Sequence, residues 1–230
     1  MVSIIEIGTV KTNFYEKGFF EEGESATFDE ATGYFKDNKG QKVDAEGFRL
    51  DENNNKMLKH QHQIFMTFEC QNDGKRFYVR SREMTLSLNE RASLTKILES
   101  IVGRKVVEGD TARKLLSEAL GKACIVEVVH NEGKDGKIYA NLGKVAQPMK
   151  GMSVLEAKAG LVFLNYKSWD QEVFDKLPEF IQDKIRSSSE YRSMTEKKEK
   201  KAIEAQKAED AIMKPVTWTD ENGVQHTTEF

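Results

Sequence analysis

Between residues 61 and 88 apolar and polar positions alternate. Ile64, Met66, Phe68 and Cys70 fall on one parity, and Phe65, Thr67 and Glu69 on the other. This period of two places successive side chains on opposite faces of a strand. Gln71-Asn72-Asp73-Gly74 predicts a turn, with Asp-Gly as its strongest pair. The alternation then resumes, with Phe77 and Val79 on one face and Arg76, Tyr78, Arg80 and Arg82 on the other. Beyond it the apolar parity moves to Met84, Leu86 and Leu88. A change of parity inside a strand implies a bulge or break near 81–82.

The period changes after residue 89. Ala92, Leu94, Ile97, Leu98, Ile101 and Val102 recur at helical spacing, with Asn89 as a candidate N-cap and Gly103 as the stop. A second short helix is predicted from Asp110, its N-cap candidate, through Leu115, Leu116 and Leu120. Residues 123–147 form the clearest hairpin: a β-branched strand over 123–130, the turn Asn131-Glu-Gly-Lys-Asp-Gly136, and a return strand from Lys137 to Val145. Upstream, residues 1–59 show short aromatic pieces separated by turn signals such as Asp37-Asn38-Lys39-Gly40, and read as short strands joined by long loops. Downstream lie a strand-like piece over 161–166 and an amphipathic helix over 174–185 with Pro178 in its first turn. A charge-dense stretch over 187–214 and a terminal tail follow.

Strands, a helix between the third and fourth strands, and a closing hairpin make the order of a five-stranded OB-fold. The expected class is therefore mainly β with helices (α+β): an OB-fold-like barrel with a helical C-terminal extension. The expected domains are a barrel over 1–151, with 1–60 poorly defined and carrying a loop insertion. A helical extension over 152–214 and a flexible tail over 215–230 complete the chain.

Composition adjusts this picture in two ways. The hydrophobic set is 38 % of 230 residues and the charged set 32 %, which suits a modest core with solvated extensions. The net charge of −3 conceals a division: 8 basic against 12 acidic residues over 1–59, 15 against 11 over 60–150, and 12 against 15 over 151–230. A basic middle between acidic ends suits a polyanion held by the middle. No apolar run reaches the length of a membrane span, and the opening Met-Val-Ser-Ile-Ile-Glu has no signal-peptide pattern. Two cysteines, Cys70 and Cys124, with no Cys-x-x-Cys suggest reduced, structural thiols and a cytoplasmic setting.

Catalytic patterns are sparse. His60, His62, His130 and His226 lack zinc-site spacing, and neither a phosphate-binding glycine loop nor a nucleophile elbow is present. No metal, cofactor or catalytic residue is expected. The binding chemistry is richer. Arg76, Tyr78, Arg80 and Arg82 set three cations around a ring on one strand face, and the hairpin adds Lys134, Lys137, Tyr139 and Lys144. Cations that follow phosphates and rings that stack bases are what hold single-stranded nucleic acid.

An ordered series of short motifs over about residues 83–192 carries a resemblance. It comprises Met84-Thr-Leu-Ser-Leu-Asn-Glu-Arg-Ala-Ser-Leu94, Gly103-Arg104, Leu120-Gly-Lys-Ala-Cys124, Val128-Val-His-Asn-Glu132, Gly136-Lys-Ile-Tyr-Ala-Asn-Leu142 and Pro148-Met-Lys-Gly-Met152. Phe174-Asp-Lys-Leu-Pro-Glu-Phe-Ile-Gln-Asp-Lys-Ile185 and Ser189-Glu-Tyr191 complete it. The series resembles a family of tailed-phage single-stranded DNA-binding replication proteins of OB-fold type. Residues 1–59 depart from the family's Pro/Gly-containing opening and carry what reads as an insertion between about 29 and 60.

The resemblance implies DNA binding by the barrel, through hairpin positions that include Lys137 and Tyr139. It implies no enzymatic activity, a role in phage replication or recombination, and the cytoplasm of an infected bacterium. It also implies a C-terminal tail ending in Glu229 and Phe230 that contacts phage or host replication proteins. Two other functions fit the same residues: a phage protein-interaction module that binds no nucleic acid, and a metal-dependent DNA-processing enzyme.

Overall fold

The computed structural model describes residues 1–230 except 155, 213–215, 220, 229 and 230. The chain divides into two compact units, Met1–Ser189 and Glu190–Phe230. The first is built on a sheet whose long strands are β1 (Ser3–Tyr15) and β5 (Leu58–Asn72), paired antiparallel with Ile4 opposite Met66 and Ile5 opposite Phe65. Between them in sequence, β2 (Thr27–Asp29), β3 (Tyr34–Lys36) and β4 (Lys42–Val43) form a separate three-stranded sheet. The main sheet continues through β6 (Lys75–Arg80), with β7 (Met84–Thr85) also paired to β5.

Helices α1 (Ser93–Val102) and α2 (Ala112–Ala119) follow, then the hairpin β8 (Ile125–Glu132) and β9 (Ile138–Ala146). The short strand β10 (Val162–Leu164) returns to run parallel to β1, so the sheet order is β10-β1-β5-β6. Helices α3 (Gln171–Asp175) and α4 (Glu179–Arg186) complete the first unit. Helix α5 (Ser189–Ile212) leads to β11 (Val216–Thr219) and β12 (Gln225–Thr228), which pair antiparallel within the stretch the sequence reads as a tail.

The core lies where α1 and α2 cover one face of the sheet. Leu94, Leu98 and Ile101 of α1 and Leu115, Leu116 and Ala119 of α2 pack on Ile4, Ile64, Met66 and Phe68. Apart from Ile4 and Ala119 these are the periodic positions of the strand and helix patterns, and burying such side chains is the main favourable term in folding.

The structure is mixed α and β, as expected, but the sheet is not closed into a barrel. β8 and β9 pair with each other as a two-stranded sheet of their own, and the outer edge of β1 is taken by β10. Without a ladder from the hairpin to the main sheet, the barrel has no closing seam. Nor is the first segment a set of short strands alone, since β1 is 13 residues long. Ile4, Ile5, Glu6 and Ile7 are all buried on it, so alternation, the signal for a strand with one wet face, is missing.

The predicted break at 81–82 is present: β6 ends at Arg80 and β7 begins at Met84. Both proposed helix caps shift. Asn89 Oδ1 accepts the Arg91 N–H at 2.9 Å in the turn before α1. Asp110 is engaged by Arg104 at 2.6 Å and by the Val107 N–H at 3.1 Å, so the Thr111 hydroxyl caps α2 instead.

Between β3 and β5 the chain repeats one turn every seven residues. In each, the N–H of Asp37, Asp44 or Asp51 donates to the carbonyl four residues on. The aspartate Oδ1 accepts the N–H groups two and four residues ahead at 2.8–3.0 Å. The fourth residue, Gly40, Gly47 or Asn54, has φ of 74°, 81° or 64°, the left-handed region that glycine and asparagine tolerate best.

Candidate functional site

The break after β6 is made by Ser81, which is 5 % exposed. Its N–H donates to the Met66 carbonyl at 2.8 Å and its Oγ accepts the Met66 N–H at 2.9 Å. With Ser81 pinned to β5, the chain turns and Arg82 leaves the face of β6. Its guanidinium donates to Ser93 Oγ at 3.0 Å, at the start of α1. Arg82 thus lines a cleft of about 630 Å³ between α1, the β6–β7 connection and β9.

Lys96 of α1 and Lys144 of β9 line the same cleft, with Asn131 and Asn141 as neutral polar neighbours and Met84, Ile97 and Leu142 as apolar surface. Lys144 is placed by a bulge between Val126 and Val128. There Glu127 folds over Gly143 and accepts the Lys144 N–H at 3.0 Å. Among the described residues no carboxylate pairs with the side chains of Arg82, Lys96 or Lys144.

A second cavity of about 260 Å³ adjoins the first, since Ser81 and Arg82 line both. It adds Arg80, Lys184 and Phe180, together with Glu83, which is ion-paired with Lys184. The two cavities together are lined by five cations and one carboxylate, in a chain whose net charge is −3. That concentration focuses a positive potential along one groove.

The predicted residues divide into three groups. Arg80, Arg82 and Lys144 line the groove. Arg76 does not: it is ion-paired with Glu69 and donates to the Glu156 carbonyl at 3.0 Å. Glu69 also accepts the N–H groups of Lys158 and Ala159 at 3.1 Å, so Arg76 belongs to a clasp that holds the 156–159 segment against the sheet. Tyr78, opposite Glu69 in the ladder, is 60 % exposed.

Lys134, Lys137 and Tyr139 sit at the hairpin tip and line neither cavity. Tyr139 donates its hydroxyl to Asp135 at 2.7 Å, and the same carboxylate draws Lys137 to 3.7 Å. The Asp135 hydrogen bond pushes the Tyr139 phenol pKa up. Glu229 and Phe230 lie outside the described residues.

Sequence reasoning missed Lys96, Lys184 and Phe180. Lys96 sits on the polar stripe of α1, where the pattern marks it as solvated without showing what lies opposite. Lys184 and Phe180 reach the groove only because α4 packs against β1.

A further cleft of about 630 Å³ is lined by Phe77, Cys70, Cys124 and Met152 together with the polar Glu69, Asn72, Lys122 and His130. Both cysteines are free and half-buried, and burial pushes both thiols up. Among the described residues no group of three or more His, Cys, Asp or Glu side chains is arranged to hold a metal ion, and no helix is long and apolar enough to cross a membrane. In comparison with known proteins, no family model, no curated protein and no solved structure matches this chain.

Proposed function

We propose that this protein binds single-stranded DNA without acting on it chemically, in the manner of the tailed-phage replication and recombination proteins its motif series resembles. The observation that carries this reading is the groove formed by the two adjoining cavities, along which Arg82, Lys96 and Lys144 have no carboxylate partner among the described residues. Its neutral polar and apolar walls leave room for bases while the cations follow the phosphates. The order of strands, helices and hairpin is read as an OB-like arrangement opened between hairpin and sheet. In this reading Tyr78 and Tyr139 offer further exposed rings, and the setting is the cytoplasm of an infected bacterium.

The cleft that exposes Phe77 and Met152 supports a second reading, in which the chain binds a protein partner. A fluorescence titration with a dT oligonucleotide at several salt concentrations separates the two. The DNA-binding reading expects saturable binding whose log affinity falls linearly with log salt, with a slope of about −0.7 per phosphate neutralised. Absence of binding at low salt would refute it.

A further inference from the structure

We infer that Phe180 is a base-stacking platform at the α4 end of the groove, held in place by Arg80, and that its ligand is a nucleobase of single-stranded DNA. The inference rests on the reading of the groove as a strand-binding site. Phe180 is 59 % exposed on α4, while Ile181 and Ile185 of the same helix are buried at 6 % and 0 %. The helix therefore already has its core anchors, and Phe180 is not one of them.

The ring is nonetheless not loose. The Arg80 guanidinium carbon lies 5.1 Å from the Phe180 centroid and 5.3 Å from that of Phe65, which is buried. Arg80 thus bridges a fixed ring and an exposed one, and planar guanidinium on aromatic faces is a favourable contact. No carboxylate pairs with Arg80 among the described residues, so nothing competes for it. One face of Phe180 is occupied, the ring is oriented, and the rest is open to solvent.

Its neighbours decide the ligand. Phe180 lines the smaller cavity with Arg82 and Lys184, where the single carboxylate, Glu83, is taken by Lys184. A ring with cations beside it and little negative charge matches the two halves of a nucleotide, base and phosphate. It does not match an acid-bearing apolar peptide with no repeating charge. Every base has a π-face, so such a platform is tolerant of sequence. Arg80 acts here as a positioning residue, not as a phosphate contact.

The test uses the full chain and a dT oligonucleotide, with an abasic oligonucleotide of equal length as control. Phe180→Ala and Phe180→Leu are expected to weaken dT binding roughly 5- to 140-fold, the range for loss of one stacked base. The salt slope is expected to stay unchanged, as is affinity for the abasic strand. Phe180→Trp should keep affinity and add fluorescence that dT quenches beyond the wild-type signal. Arg80→Ala should weaken dT binding with an unchanged slope; a flatter slope would make Arg80 a phosphate contact and remove its positioning role. If the wild type binds dT and Phe180→Ala binds equally well, or the new tryptophan is not quenched, the platform is wrong while the groove reading stands. If the wild type binds no oligonucleotide, both fall.

Discussion

At the scale of single residues, a charge is worth what its surroundings leave unpaired. Arg76 and Arg82 look equivalent along the sequence, yet one is spent on Glu69 and the other faces an open cleft. Arg82→Ala, Lys96→Ala and Lys144→Ala are each expected to weaken oligonucleotide binding and to reduce the salt slope by about 0.7, measured by the same titration. Arg76→Ala is expected to leave the slope alone and to loosen the 156–159 segment, read as faster amide exchange there.

Glu6 shows the reverse case, a charge buried and bonded within the fold. It is 1 % exposed, within 2.7 Å of His62 Nε2, and hydrogen-bonded to Arg113. Burial by itself raises its pKa, but the bonds to His62 and Arg113 and the Arg113 charge outweigh it and hold the carboxyl below its ordinary 4.5. A depressed carboxyl stabilises the fold above that ordinary value, and the contribution is lost as pH falls through the lower folded value. Glu6→Gln is therefore expected to cost about 1–3 kcal/mol at neutral pH. The gap to wild type should narrow in urea melts as pH drops below 4.5.

At the scale of elements, what was legible in the sequence followed from where each element is wet. The hairpin β8–β9 carries β-branched residues and a marked turn, and β5–β6 a one-sided pattern with Asp-Gly between, so both could be placed. The first strand could not, because burial on both faces erases alternation and a buried Glu6 reads as a surface position. The groove was half legible: Arg80, Arg82 and Lys144 stood out as cations on strands. Lys96 and Lys184 needed the packing of helices that no local pattern encodes. The open sheet was not legible at all, since closure depends on which edge finds which partner.

The seven-residue turns make a separate test of one motif in two settings. Asp37 is 6 % exposed and its Oδ2 also accepts the Phe19 N–H at 2.8 Å. Asp37→Ala is expected to cost about 1–3 kcal/mol in chemical denaturation, and Asp51→Ala, at the outer turn, distinctly less. Gly47→Ala should cost at least about 1 kcal/mol from the left-handed backbone alone. The added Cβ would also meet the Phe20 ring at 2.9 Å.

At the scale of the whole molecule, the groove and the core lie within Met1–Ser189, and α5 with its hairpin forms the second unit. Ending the chain after Ser189 is expected to leave the melting temperature of the first unit and its oligonucleotide affinity unchanged. Differential scanning calorimetry and the titration check each. A loss of folding would show that the two units depend on each other.

The parallel pairing of β1 with β10 has a consequence in time. Ser3 finds Val162 only after about 160 further residues have been made, which at ~5–20 residues per second takes roughly 8–30 s on a ribosome. Until then β1, with its apolar Ile4, Ile5 and Ile7, presents one open row of backbone donors and acceptors to other nascent chains. Yield in a cell should therefore depend on how crowded synthesis is: few nascent chains at a time leave the waiting edge alone, and many fill it with the wrong strand.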